Sequence, residues 1–173
     1  MITALKLVVV LLAGLLVMLL VAGQLGLLKG KVPSNPGVRD GRLKPPSRTP
    51  NSVSSQAGLY PDHPQRKAAD IAPLTYTGDG PSAMRQLAAV IDATPRCLLV
   101  TRDPGYLYAQ CSTQWLKFTD DVEFYLDQAA GVIHVRSASR IGGKDFGVNR
   151  ARVEALRSGF QTIGPAAEPL PKQ

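Results

Sequence analysis

Histidine, cysteine and tryptophan are scarce in this chain: two, two and one among 173 residues. With no CxxC pair and no Cys/His spacing of zinc type, a metal site is not expected. A hydrolase needs a nucleophile, a base and an orienting acid, and only His63 and His134 can supply imidazole. No glycine-rich phosphate loop or dinucleotide fingerprint occurs, so no cofactor is expected either. Aromatic residues make up 6%, and no segment reads as a basic helix with interleaved aromatics. Nucleic acid is therefore not an expected partner.

Polarity is what the N-terminus lacks. From Leu7 to Leu28 the chain reads LVVVLLAGLLVMLLVAGQLGLL, with Gln24 its only polar side chain. As a helix this run extends for about 33 Å, enough to cross a hydrocarbon core of about 30 Å. A core helix of a small domain would show a polar face, and this one shows none. Residues 1–28 thus read as a single-pass transmembrane anchor, with the lipid bilayer as the first partner. The competing reading is a cleaved secretory signal, with Lys6 as its positive region and Val21-Ala22-Gly23 as a small-residue cleavage site. Apolar residues running on to Leu28 argue against cleavage. Orientation has two opposed arguments. The lysines and arginines after the helix favour a cytoplasmic domain, whereas a very short tail before the apolar run favours export.

The net charge of +7 is unevenly spread. Lys29, Lys31, Arg39, Arg42, Lys44 and Arg48 face only Asp40, which puts about five of the seven charges beside the membrane. Such a segment suits a topology signal or anionic lipid headgroups. Residues 29–64 also hold seven prolines, at 33, 36, 45, 46, 50, 61 and 64. No apolar period survives that density, so a basic, extended tether with an N-terminal loop is expected. Within it, Arg48 to Gln56 reads either as a surface loop bonded by its own polar side chains or as a ligand loop.

Residues 65–163 read as one α+β domain, with a loose tail over 164–173. Ile71 to Tyr76 suits a short opening strand. Gly80-Pro81 opens a helix with Met84, Leu87, Ala88 and Ile91 on one stripe. Cys97 to Thr101 and Tyr106 to Cys111 flank the turn Arg102-Asp103-Pro104-Gly105. Trp115 to Phe118 and Val122 to Leu126 continue the β-prone series, followed by Val132 to Ala138. Asn149 to Ile163 forms a last helix, burying Val153, Leu156, Phe160 and Ile163 and leaving Arg150, Arg152, Glu154 and Arg157 wet. The order β-α-β-β-β-β-α implies an antiparallel sheet of hairpins, about four or five strands, packed against two helices.

Several residues invite chemistry. If the first hairpin turns about Pro104, Cys97 and Cys111 fall opposite each other and can form a disulfide in an exported domain. In the cytoplasm they stay buried thiols. In the second hairpin, matching apolar residues sets Asp121 and Glu123 beside His134 and Arg136 on the other face, as a cross-strand charge ladder. A triad of His134, Asp121 and Ser137 fails locally, because a strand points residues 134 and 137 to opposite faces. An enzyme using Asp121, Glu123 or His134 remains the alternative function. The densest stretch is residues 134–152, where Arg136, Arg140, Lys144, Arg150 and Arg152 surround a glycine-rich turn into a helix. Together with Ser137, Ser139, Asp145, Asn149, Asn51 and Ser54 they suit a carboxylate or phosphate. Structurally, Asp145 and Asn149 cap the helix and the arginines tie strands together.

At this stretch a resemblance emerges. Asp120-Asp121-Val122-Glu123-Phe124, Ile133 to Arg140, and Asp145-Phe146-Gly147-x-Asn149-Arg150-x-Arg152 resemble the domain-of-unknown-function family numbered 1499. Gly41-Arg42-Leu43 and Pro50 to Gln56 resemble its N-terminal signature, and the likeness spans roughly residues 37 to 161. Relatives often carry cysteines in that signature, where this chain has Pro46 and Ser52. The resemblance implies a bacterial or chloroplast membrane and, for this chain, a bacterial inner-membrane protein with a periplasmic domain; it implies no activity. The leading expectation is a non-enzymatic binding or scaffolding module of the cell envelope, contacting anionic lipid, cell-wall material or a protein partner through its arginine-rich turn.

Overall fold

The computed structural model describes residues 2–163; the tail expected from Gly164 onward and the side chain of Ile163 lie outside the described residues. Helix α1, Ile2–Gln24, is long and apolar enough to cross a membrane, and its most apolar stretch is not buried by the rest of the chain. The remainder is α+β. Strands β1 (Ser52–Ser54), β2 (Leu74–Thr75), β3 (Cys97–Asp103), β4 (Tyr106–Ser112), β5 (Thr119–Asp127) and β6 (Val132–Ser139) form one antiparallel sheet. Its order is β1-β6-β5-β4-β3, with β2 sharing the β6 edge with β1.

Helices α3 (Gly80–Ala93) and α4 (Val148–Ile163) cover one face of the sheet, and α2 (Arg66–Ala69) is a single turn beside β1. The start of α3 is written in its sequence: Asp79 accepts the Ser82 N–H, and Pro81 stands in the first turn where no donor is needed. Gly80 lets the helix start close to the sheet, since a Cβ there would lie 2.8–2.9 Å from the Leu126 methyls and push them aside. Met84, Leu87, Ala88 and Ile91 meet Leu107, Val122, Phe124, Ile133 and Val135 from the sheet and Val153, Leu156 and Phe160 from α4 in one core.

Four expectations are corrected. Residues 29–64 are not a free tether: the segment supplies β1, buries Leu43 and Pro46, and lies against the far side of the sheet. Its prolines exclude a helix, and side chains instead of a regular ladder satisfy its backbone. Gln56 accepts the Leu43 N–H and donates to the Gly41 carbonyl, Ser52 accepts the Ser47 N–H, and Arg136 donates to the Pro45 carbonyl. Trp115 to Phe118 form a turn, closed by Thr113, which accepts the Phe118 N–H through its hydroxyl and donates its own N–H to the Phe118 carbonyl. The opening strand shrinks to Leu74–Thr75 because Pro73 has no N–H to offer.

The fourth correction concerns charge. Asp121 and Glu123 do share a face with His134 and Arg136, but the register sets Glu123 opposite Arg136, Tyr125 opposite His134, and Asp121 opposite Ala138. That face is covered by residues 37–60, so Asp121, Glu123 and Arg136 are buried, not a wet ladder. Arg152 leaves the wet side as well, bonding Asp120 at 2.6 Å with both side chains largely buried.

Candidate functional site

The turn entering α4 is built around Asn149, which has no exposed surface. Its amide nitrogen donates to the Asn51 carbonyl, Ser139 Oγ and Asp145 Oδ2 at 2.9–3.0 Å. Its oxygen accepts from the Ser137 hydroxyl and from Arg152. Asn51 in turn donates to the carbonyls of Ser139 and Gly142. The Asp145 carboxylate accepts the N–H groups of Gly147 and Asn149, so Asp145 caps α4 while Asn149 fills the interior. Burial pushes the Asp145 carboxyl up, but those donors outweigh it and hold it below the usual aspartate range. Five residues singled out from sequence, Asn51, Ser137, Ser139, Asp145 and Asn149, thus form one internal network. Among the described residues no buried side-chain nitrogen or oxygen lacks a partner.

The arginines do not converge. Strand parity sends Ser137 and Ser139 toward α4, and Arg136 and Arg140 to the opposite face. Arg140 forks onto Asp121 at 2.7 and 2.9 Å and reaches the Tyr108 hydroxyl, and its bond to Asp121 raises its pKa above the usual arginine value. Arg136 lies 3.6 Å from Glu123, burial drawing its pKa down while Glu123 opposes. Arg150 donates to the carbonyls of Ala68 and Asp70. Ser54, fully buried, accepts the Gln56 N–H. Each guanidinium singled out from sequence already has an internal acceptor.

What remains open at the turn is a ridge and a cleft. Phe146 is 85% exposed and stands at φ 53°, a left-handed conformation that a bulky side chain rarely adopts. Lys144 Nζ lies 5.4 Å from its ring centre. Beside them runs a cleft of about 240 Å³ with Pro50, Gln65, Ala68 and Arg150 on its walls. Sequence reasoning passed over Phe146, whose signal was an aromatic residue inside a glycine-flanked turn.

A second cleft, of about 300 Å³, opens on the covered face of the sheet. There Ser55 Oγ lies 3.1 Å from His134 Nδ1, and Asp127 lies 3.7 Å from His134 Nε2. Asp40, Arg42 and Leu59 complete its rim. Burial lowers the His134 pKa, and Asp127 offsets part of that. Ser55 Oγ also accepts the Val135 N–H at 2.9 Å, so this hydroxyl continues the β1–β6 ladder. Of the three groups put forward from sequence as chemical, His134 lines this cleft. Asp121 is held by Arg140 and Tyr108, and Glu123 by Tyr106, Arg136 and the Gly37 N–H. Neither Ser55 nor Asp127 was visible from sequence, because the fold and not their spacing brings them to His134.

At the other edge of the sheet, Cys97 and Cys111 are cross-strand partners joined by a disulfide, their Cα atoms 4.0 Å apart. A family model described as "Protein of unknown function (DUF1499)" matches residues 42–160, from the segment covering the sheet to the last turns of α4. No curated protein matches the chain.

Proposed function

The chain belongs to the DUF1499 family, and from that footing we propose that it is a membrane-tethered, non-enzymatic binding module of the bacterial cell envelope. Its domain stands on the periplasmic side, where a Cys97–Cys111 disulfide persists. The contact surface is the ridge of Phe146 and Lys144 with the adjoining cleft, and the occupant is a protein segment carrying apolar and acidic groups. The observation that carries this is Phe146: an exposed ring in a strained backbone, mounted on a network with no unpaired polar group below it. Strain of this kind persists only where surrounding structure over-determines it, and aromatic anchors dominate protein interfaces. Lys144 and Arg150 add positive charge beside the ring.

The test places a photo-crosslinking amino acid at position 146 of the full chain in cells. The expected result is one discrete protein adduct, weakened by Lys144→Glu and absent when the same probe replaces the exposed Leu98 on the far edge strand. Equal adducts at both positions, no adduct, or an adduct to lipid alone overturns the reading.

A second reading, a hydrolase of envelope material, has one observation in its favour, the Ser55–His134–Asp127 cluster in an open cleft. A neutral His134 is the right state for a base. Against it, Ser55 is engaged by the Val135 N–H. A fluorophosphonate probe that labels the full chain, and fails to label Ser55→Ala, would install this reading in place of the first.

A further inference from the structure

The end of α1 is fastened to the domain. Gln24 donates its side-chain amide to the Trp115 carbonyl at 2.8 Å. One turn residue on, the Leu116 backbone packs so closely on Gly23 that a Cβ there would lie 2.7–2.8 Å from its atoms. The chain leaving the helix makes a second contact, Gly30 lying flat against Arg140 and Ile141. The domain is therefore mounted on the helix by its Trp115 turn and by the end of β6.

Bilayer dimensions give this mounting a height. From Lys6, the first charged residue, α1 runs on to Gln24, about 27 Å at 1.5 Å per residue. A hydrocarbon core of about 30 Å therefore ends within the turn 25–28, which holds the exposed Leu25 and Leu27. Trp115, bonded to Gln24, is level with that boundary. Trp115 is 67% exposed, Lys117 stands two residues after it, and Lys29 and Lys31 directly follow the turn 25–28; none of these lysines is in an ion pair among the described residues. An indole at headgroup depth with lysines reaching to phosphates is the chemistry of a membrane interface.

We propose that the Trp115 turn is a lipid-contacting surface that seats the domain on the phospholipid headgroups of the same membrane that α1 spans. The seat rests on the membrane-anchor reading of α1 and goes beyond it, because an anchored domain on a free tether would leave Trp115 in water. It also bounds the domain's motion: the turn that touches lipid is the turn that holds the helix.

Trp115 is the single tryptophan of the chain, so it reports on itself. The full-length protein is reconstituted into phosphatidylcholine–phosphatidylglycerol vesicles carrying bromine either near the headgroups or deep in the acyl chains, with aqueous iodide as the opposing quencher. Sedimentation with the vesicles after carbonate washing reads the anchor separately. The expected result is sedimentation, roughly twofold stronger quenching by shallow than by deep bromine, and shielding from iodide. Gly23→Leu, which forces the turn off the helix, should still sediment while its indole gains iodide quenching. Sedimentation with an iodide-accessible, bromine-insensitive indole in the wild type overturns the seat and leaves the anchor standing. Failure to sediment overturns both. Deep bromine quenching more than shallow also overturns the seat, since the indole would then lie in the core.

Discussion

The side-chain amide of Asn149 donates to the carbonyl oxygen of Asn51 at 3.0 Å, closing a contact across 98 residues of sequence in the fully buried centre of the α4 entry. This bond locks the proline-rich N-terminal segment to the end of the sheet. It also accounts for two asparagines that looked, in sequence, like ligand-binding groups.

Asn149→Ala removes the partner of the Ser137 hydroxyl and of Ser139 Oγ at once, while the Asn51 carbonyl keeps the Ser139 N–H. Leaving buried polar groups unmade costs about 1–3 kcal/mol each before relaxation, so a stability loss of about 2–3 kcal/mol is expected. Urea unfolding of the full chain in detergent, followed by near-ultraviolet circular dichroism, checks this. Unchanged stability would return Asn149 to the list of ligand-binding candidates.

The cysteine bridge spans a sequence separation of 14, and a loop near that size contributes about 3 kcal/mol in the chain-entropy account. The double variant Cys97→Ser, Cys111→Ser should unfold at correspondingly lower denaturant. In cells, thiol trapping before lysis should find both cysteines protected until a reductant is added. Free thiols at that step would place the domain in a reducing compartment and remove the periplasmic reading.

His134 gives the domain a pH dependence with a definite sign. Burial holds its folded pKa below the ordinary value of 6.5, so the unfolded chain binds the proton first. Its contribution is intact above about pH 6.5 and is lost as pH falls through the lower folded value. Asp127 moderates the effect, and Ser55, Tyr125, Asp40 and Arg42 are the other groups facing the ring or its cleft. Thermal melts between about pH 7.5 and about pH 5, which span the histidine range, should show a falling midpoint that is flatter in His134→Gln. An equal slope in both proteins would show that His134 does not titrate on unfolding.

Much of the fold was legible because local signals agreed with it. Asp79 and Pro81 mark the start of α3, and alternation in β5 and β6 assigns the core face of each strand. The cysteine register is subtler. The hairpin closes with Asp103 opposite Tyr106, a register that would set Cys97 against Ser112. A bulge between Leu99 and Thr101 shifts it by one, and Cys111 becomes the partner. Nothing in the sequence announces that bulge. The covering segment 37–60 was equally hidden, because its order comes from long-range bonds to Glu123 and Arg136 and from internal bonds to Gln56, not from any repeating pattern. That single omission made a buried charge pair look like a wet ladder. It also kept Ser55 apart from His134.

The exposed ring at the α4 entry separates folding from recognition more cleanly than any buried residue. Phe146→Gly relieves a left-handed backbone that costs a bulky residue about 1–2 kcal/mol, while adding unfolded-chain freedom worth about 0.4–1 kcal/mol. The two terms oppose each other, with a small net gain, and the ring, being 85% exposed, contributes little packing. Stability within about 1 kcal/mol of the parent is therefore expected. If the ring is an interface anchor, co-purification of the partner captured at this position should fall about tenfold or more. Phe146→Ala should lose the partner equally while keeping the backbone strain. A variant that folds normally and still retains its partner would show that Phe146 is a decorated turn, and the contact surface would have to be sought on the cleft wall formed by Gln65, Ala68 and Arg150.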